Sequence, residues 1–247
     1  MICFFIYFWL NSRRIGLQDV ELPICSVSKM FNMSKQIKSK ARVEERGEVF
    51  TNEREVTAML DLVSAECLRP DSRFLEPACG NGNFLVAILE RKLDEVKRKY
   101  RSAHRDYEKQ SIIAIGSLYG VDIMKDNVEE CRVRLFDIWD KRYKTICKKD
   151  CSDEARESVR FILRRNIVCG NALTLNCVDE NGNDLLDQPI VFSEWSMISG
   201  TQMQRRDFTF AELLARKDND VALFNGEAEG KFVDRYITHY KNLQPNG

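Results

Sequence analysis

The chain has little excess of charge, few imidazoles and no long apolar run, and each lack closes a class of function. Lys plus Arg and Asp plus Glu both number 38, for a formal net charge of +0. A nucleic-acid partner would therefore have to be met by a local basic face rather than by the field of the whole molecule. His104 and His239 are the only histidines, and the 9 cysteines include no C-x-x-C pair. A zinc site is not expected, and most of the thiols read as small buried residues of a reducing cytosol. The longest apolar stretch, "MICFFIYFWL" at the N-terminus, is about half of the ~20 residues that a bilayer span needs. No basic segment precedes it and Arg13-Arg14 follow it, the reverse of a signal peptide's order.

What is present suits a globular domain. Of the 247 residues, 44% are apolar and 31% charged, enough for one sizeable core. The expected division is an N-terminal extension over 1–32 and a domain over 33–247. The extension reads as upstream sequence translated ahead of a start at Met30 or Met33. The alternative is a peripheral anchor or partner-binding segment.

Along the chain, Asn52 with Glu55 three positions on is a capping-box pattern. Val56, Met59, Leu60 and Val63 follow at helical spacing, and Pro70 with Asp71 closes that helix. "RFLEP" is a short strand and "NFLVAILERKLDEVKRKYRS" a long amphipathic helix. "SIIAIGSLYGVDI" reads as a helix end, a turn and a second buried strand ending near Asp122. Two more helices lead to a third strand, "NIVCGNAL". Strand and helix in alternation argue for an α/β fold with a parallel sheet and helices on its faces. "LTLNCVDENGNDLLDQPIVFSEW" then reads as two strands around an Asn-Gly turn, a hairpin inserted onto the sheet. The last fifty or so residues are weakly patterned, with one short helix around "FAELLAR".

"FLEPACGNGNFL", Phe74 to Leu85, places two glycines between a strand and a helix. Such a turn lets backbone approach a ligand at a helix N-terminus. Three details argue against a dinucleotide. The third glycine of G-x-G-x-x-G is missing. Glu76 would repel a pyrophosphate. Asp122, the candidate ribose ligand, follows Gly80 at about double the ~20 residues that the fingerprint expects. All three suit S-adenosyl-L-methionine, whose methionine end carries an ammonium for Glu76 and a carboxylate for the N–H groups at the helix start. Asp122 can accept from both ribose hydroxyls, and Asn171 can read the adenine edge. These positions fall at the carboxyl ends of successive strands, where open α/β sheets bind ligands. Taken singly, each would more often be a tight turn, a helix cap or a turn-forming Asn.

"LEPACGNGNFL" resembles the first motif of the adenine-specific DNA methyltransferases of restriction–modification systems, in the group whose cofactor motifs lead the chain. "GEVFT" (47–51) resembles that group's upstream motif, "YGVDI" its ribose segment and "GNAL" its adenine segment, where many relatives have Asp in place of Asn171. The resemblance implies a Rossmann-like S-adenosylmethionine-dependent methyltransferase fold, incomplete at the C-terminal end. It implies cofactor contacts at Phe50, Thr51, Glu76, Pro77, Ala78, Cys79, Gly80, Asn81, Gly82, Asn83, Phe84, Asp122, Ile123, Asn171 and Ala172. It also implies double-stranded DNA as partner, a cytoplasmic location, no metal and no membrane.

The family grips the flipped adenine with an Asn/Asp/Ser-Pro-Pro-aromatic motif. The 5 prolines here, Pro23, Pro70, Pro77, Pro189 and Pro245, include no adjacent pair, so no catalytic residue is assigned. Ser193-Glu194-Trp195 is the nearest imitation and reads as part of the inserted hairpin. Three functions stay open: a truncated or split adenine methyltransferase completed by a second polypeptide, a non-catalytic S-adenosylmethionine-binding subunit, and a small-molecule methyltransferase.

Overall fold

The computed structural model describes residues 51–215 and 234–244, together with a two-residue strand at Tyr7–Phe8. Helix α1 (Glu53–Asp61) starts where Asn52, in extended conformation, accepts the Arg54 N–H with its side chain, a cap worth about 1 kcal/mol. Val56 and Leu60 are buried and Met59 and Val63 pack beside them, as their spacing predicts. The helix does not continue to Pro70. Val63 leaves helical geometry (φ −130°, ψ 25°), and a single turn, α2 (Ser64–Cys67), follows. The break carries Cys67 into the core while Leu62 stays outside.

The alternating part runs β2 (Phe74–Glu76), α3 (Asn83–Tyr100), α4 (His104–Gly116), β3 (Leu118–Asp122), α5 (Lys125–Cys147), α6 (Asp153–Asn166) and β4 (Ile167–Asn171). The charged stretch that the sequence leaves unassigned before Ser111 forms the opening turns of α4. Ser152 caps α6 by accepting the Ala155 N–H. Strands β2, β3 and β4 are parallel, with Phe74 opposite Leu118 and Gly120 opposite Ile167. Strand β1 (Tyr7–Phe8) lies antiparallel beyond β2. Beyond β4, an antiparallel hairpin of β5 (Asn176–Val178) and β6 (Asp184–Pro189) completes the order β1-β2-β3-β4-β5-β6. This is the α/β, Rossmann-like sheet that the strand–helix alternation predicts, with the expected hairpin added.

The hairpin is shorter than expected. It ends at Pro189, and the next segment belongs to a second, antiparallel sheet of β7 (Val191–Ser199), β8 (Gln202–Thr209) and β9 (Asp234–His239). Pro189 has no N–H for a ladder. Ile190 then donates to the Leu175 carbonyl as the chain leaves the first sheet. The short helix α7 (Phe210–Ala215) falls where "FAELLAR" predicts it.

Two apolar clusters hold these layers together. Phe74, Leu118 and Ile167 pack with Leu85, Ile88 and Leu89 of α3, Ile112 of α4, Leu135 of α5 and Ile162 of α6. On the opposite sheet face, Leu75, Tyr119 and Val121 pack with Phe192, Phe208, Phe210 and Leu213 from β7, β8 and α7. Tyr119 meets Phe192 edge-on at 5.4 Å between ring centroids. Each fully buried side chain of this size contributes about 1.5–3 kcal/mol. Where β2 and β3 begin, the wholly buried Lys92 gathers chain ends: Nζ donates to the Pro70 carbonyl (3.2 Å), the Ser117 hydroxyl (2.6 Å) and the Ser72 carbonyl. Burial pulls its ammonium down to about 7. Among the described residues, no helix is long and apolar enough to cross a membrane.

Candidate functional site

The loop from Glu76 to Asn83 crosses from β2 to α3 on two left-handed glycines, Gly80 (φ 52°) and Gly82 (φ 90°). Gly82 is the N-cap of α3. A Cβ on it would lie 2.5 Å from Cys131 Sγ of α5, so both the backbone angle and the close approach require glycine. The loop is pinned from below: Cys79 N–H donates to the Val121 carbonyl and Gly82 N–H to the Cys79 carbonyl, both at 2.8 Å.

Asp122, at the carboxyl end of β3, accepts the Gly80 N–H at 2.9 Å with one oxygen. Its other oxygen accepts the Met124 N–H at 2.8 Å and the Asn127 side-chain amide at 3.3 Å. Helix α5 supplies the remaining fastening, which sequence reasoning missed. Arg134 donates to the Asn81 carbonyl (2.7 Å) and to Asn83 Oδ1 (2.9 Å), and Asn81 Nδ2 donates to Glu130 (2.9 Å). The spacing of Glu130 and Arg134 on one helical face was the available signal. Asn83 Nδ2 donates to the Thr51 carbonyl at 3.1 Å, which brings the upstream segment to the start of α3. Phe50, its neighbour in that segment, lies outside the described residues.

Glu76 is the most unusual group. It is 3% exposed, and among the described residues neither carboxylate oxygen accepts a hydrogen bond. Burial pushes its carboxyl up to about 8, with only the nearby Ala78 N–H pulling the other way. A buried carboxylate without a partner is costly and favours the protonated form. A cation delivered by a ligand would reverse that. Asn81 Oδ1, in the same loop, is also buried without a donor.

The pairing register sets out the rest. Glu76 is opposite Gly120, and Asp122 is opposite Cys169. Because side chains alternate along a strand, Glu76, Asp122 and Asn171 lie on one face, each at a strand's carboxyl end. The site is therefore a row of acceptors crossing three strands. It suits an elongated ligand rich in cations and hydrogen-bond donors and opposes a polyphosphate.

The expected contact residues are not all equally available. Cys79 and Phe84 have their side chains in the core, 6% and 5% exposed, so only their backbone can face a ligand. Pro77, Ala78, Ile123 and Ala172 keep some surface. Both ends of the Asn171 amide are engaged: Oδ1 accepts the Leu173 N–H at 3.0 Å, and Nδ2 donates to Asp184 at 3.1 Å.

Ser193, Glu194 and Trp195 do not form an acceptor site. They lie in β7 of the second sheet rather than in the inserted hairpin. The Ser193 hydroxyl donates to Asp207 (2.6 Å) and accepts from Arg165 (3.0 Å), while Glu194 is paired with Arg73 and Arg206. Trp195 lies edge-on to Phe161, and its ring fills the space beside Gly116. No face of it is left for a base to stack on.

The family model "MmeI, DNA-methyltransferase domain" matches residues 50–185, which take in the glycine loop, Asp122, Asn171 and the hairpin into β6. A protein of Methanocaldococcus jannaschii named as a type II restriction enzyme and methyltransferase is 31% identical over 115 residues, which is 44% of this chain and 9% of that protein. This chain thus corresponds to a small part of that relative. No solved structure matches it. The family match spans more than half of the chain, and it covers the strand ends that carry the row of acceptors. The chain belongs to the MmeI DNA-methyltransferase-domain family.

Proposed function

We propose that this domain holds S-adenosyl-L-methionine at the carboxyl ends of β2, β3 and β4 and serves methylation of the exocyclic amine of adenine in DNA, within a restriction–modification system. The observation that carries the reading is Glu76, a buried carboxylate with no partner among the described residues, at one end of a row of acceptors. When bound, the cofactor supplies an electrophilic methyl group on its sulfonium. The residues of this chain do the holding. Glu76 faces the ammonium, and the N–H groups at the start of α3 face the carboxylate. Asp122, at the carboxyl end of β3 and on the same sheet face as Glu76, faces the ribose hydroxyls. Ile123, Asn171 and Ala172 border the adenine, and Phe50 and Thr51 close over the methionine end.

Gripping the acceptor amine needs residues that this sequence does not contain, because no Pro-Pro pair is present and Ser193–Trp195 is built into the core. In this proposal they come from a second polypeptide or from further sequence, and the assembled enzyme acts on double-stranded DNA in the cytoplasm. The missing motif also favours a second reading, in which the chain is a non-catalytic S-adenosylmethionine-binding subunit of a modification complex. Under either reading the domain comprises residues 33–247, and 1–32 form an extension from which Tyr7–Phe8 adds a strand beside β2.

Ultraviolet cross-linking with tritiated S-adenosylmethionine tests the placement. Label should map to peptides spanning 76–84 and 122–123 and be chased by S-adenosylhomocysteine. Label that maps to β7–β9, or none that the competitor chases, would overturn the reading.

A further inference from the structure

Asn171 is the sequence's candidate for reading the adenine edge, yet its amide is already fixed at both ends. Leu173 N–H holds the oxygen and Asp184 holds the nitrogen. Those two partners set the orientation of the amide and use one of its two N–H groups and one of its two oxygen lone pairs.

Asp184 opens β6 directly opposite Val178. Val178 lies two residues on from Asn176, which pairs with Asn171. The ladder between β5 and β6 is irregular between Asn176 and Val178, and the 3.1 Å hydrogen bond from the Asn171 amide brings the Asp184 carboxylate to the side of the sheet where Asn171 lies, next in line beyond it. The hairpin that carries it is held to the site by an ion pair at 2.9 Å between Lys125, at the start of α5, and Glu180 in the turn. Between Leu173 and Pro189 the chain has Asp179, Glu180, Asp184 and Asp187 and no Lys or Arg. Asp179 accepts from within its own turn and Glu180 pairs with Lys125, so Asp184 is the carboxylate that this hairpin sets beside Asn171.

A carboxylate offers about four lone-pair sites, and the Asn171 amide takes one of those on Asp184. We infer that Asp184 is the residue that accepts from the exocyclic amine of the cofactor's adenine, with Asn171 as the side chain that orients it. This rests on the proposed cofactor reading. Charged acceptors make the stronger hydrogen bonds, which favours the Asp184 carboxylate over the neutral amide oxygen of Asn171 as the partner of the amine.

The test compares two ligands on the intact chain: S-adenosylhomocysteine, and S-inosylhomocysteine, in which a 6-oxo acceptor replaces the amine. The wild-type protein should prefer the adenosyl ligand by about 10- to 100-fold. In Asp184→Asn the amide can donate to the oxo group, so the preference should fall to parity or reverse. In Asn171→Ala part of the preference should survive. Parity between the ligands in the wild-type protein would overturn the assignment without any variant. So would an Asp184→Asn protein that loses both ligands equally, because that is the behaviour of a residue that only braces the hairpin. If the wild-type protein bound neither ligand, the cofactor reading would fall, and this inference with it.

Discussion

Glu76 and Lys92 are both buried ionisable groups, and they give stability opposite slopes with pH. Glu76 has its carboxyl raised from 4.5 to about 8, so the folded chain holds a proton that the unfolded chain has lost. Its contribution is full below about pH 4.5 and is lost as pH rises through 8. Lys92 is lowered from 10.5 to about 7, so its contribution is present above about 10.5 and is lost as pH falls through 7. Urea unfolding across pH 5 to 10 should show both slopes. Glu76→Gln should remove the decline between 5 and 8, and Lys92→Met the rise between 7 and 10. Gly82→Ala should cost about 1–3 kcal/mol through its positive φ and the contact with Cys131. Adding Cys131→Ala should return only the clash part of that loss, measured by thermal melts of the single and double variants.

At the scale of elements, legibility in the sequence followed the apolar pattern. Helix α3 was plain because Leu85, Ile88, Leu89, Leu93 and Val96 recur on one face, and its start was marked by glycines with a visible reason. Strand β8 was not. Its inward positions are Met203, Arg205 and Asp207 rather than an apolar series, and all three are buried. Their charges are met by partners distant in sequence. Arg165 of α6 donates to Asp207 at 2.9 Å, Ser193 of β7 bonds the same carboxylate, and Arg205 lies 3.2 Å from it. Alternation of polar groups satisfied only in the folded state leaves no trace in hydropathy. The same holds for the role of Asp184, which depends on the hairpin's register. Asp207→Ala should therefore destabilise the chain by about 3–5 kcal/mol, because it removes the carboxylate that faces the buried Arg205 guanidinium. Asp207→Asn should cost less. Denaturant midpoints compare the two, and equal midpoints for wild type and Asp207→Ala would show that the second sheet does not depend on this cluster.

For the whole molecule, the proposed reading gives the described residues a donor site and no acceptor site. The second face of the main sheet, at Leu75, Tyr119 and Val121, is covered by β7, β8 and α7, and Trp195 is committed to the core. Adenine's exocyclic amine is a poor nucleophile because its lone pair is delocalised into the ring, so a nearby methyl donor alone is not enough. The purified chain with tritiated S-adenosylmethionine and mixed-sequence DNA should transfer little or no label. A polypeptide that carries a Pro-Pro-aromatic motif and binds this chain should restore transfer, and Asp122→Ala should abolish it again. Robust methylation by the chain alone would contradict the separation of donor and acceptor roles.

The central claim is that the strand ends of β2 to β4 hold S-adenosylmethionine, with Glu76 answering its ammonium. Titration calorimetry of the intact chain with S-adenosylhomocysteine at pH 7, in two buffers of different ionisation enthalpy, tests it most directly. The account predicts one site, no heat with NAD, and a buffer-dependent heat that reports a proton leaving Glu76 as the ligand's cation arrives. Glu76→Gln should bind more weakly and lose the buffer dependence. Absence of binding, tight NAD binding, or an undiminished affinity in Glu76→Gln would contradict it.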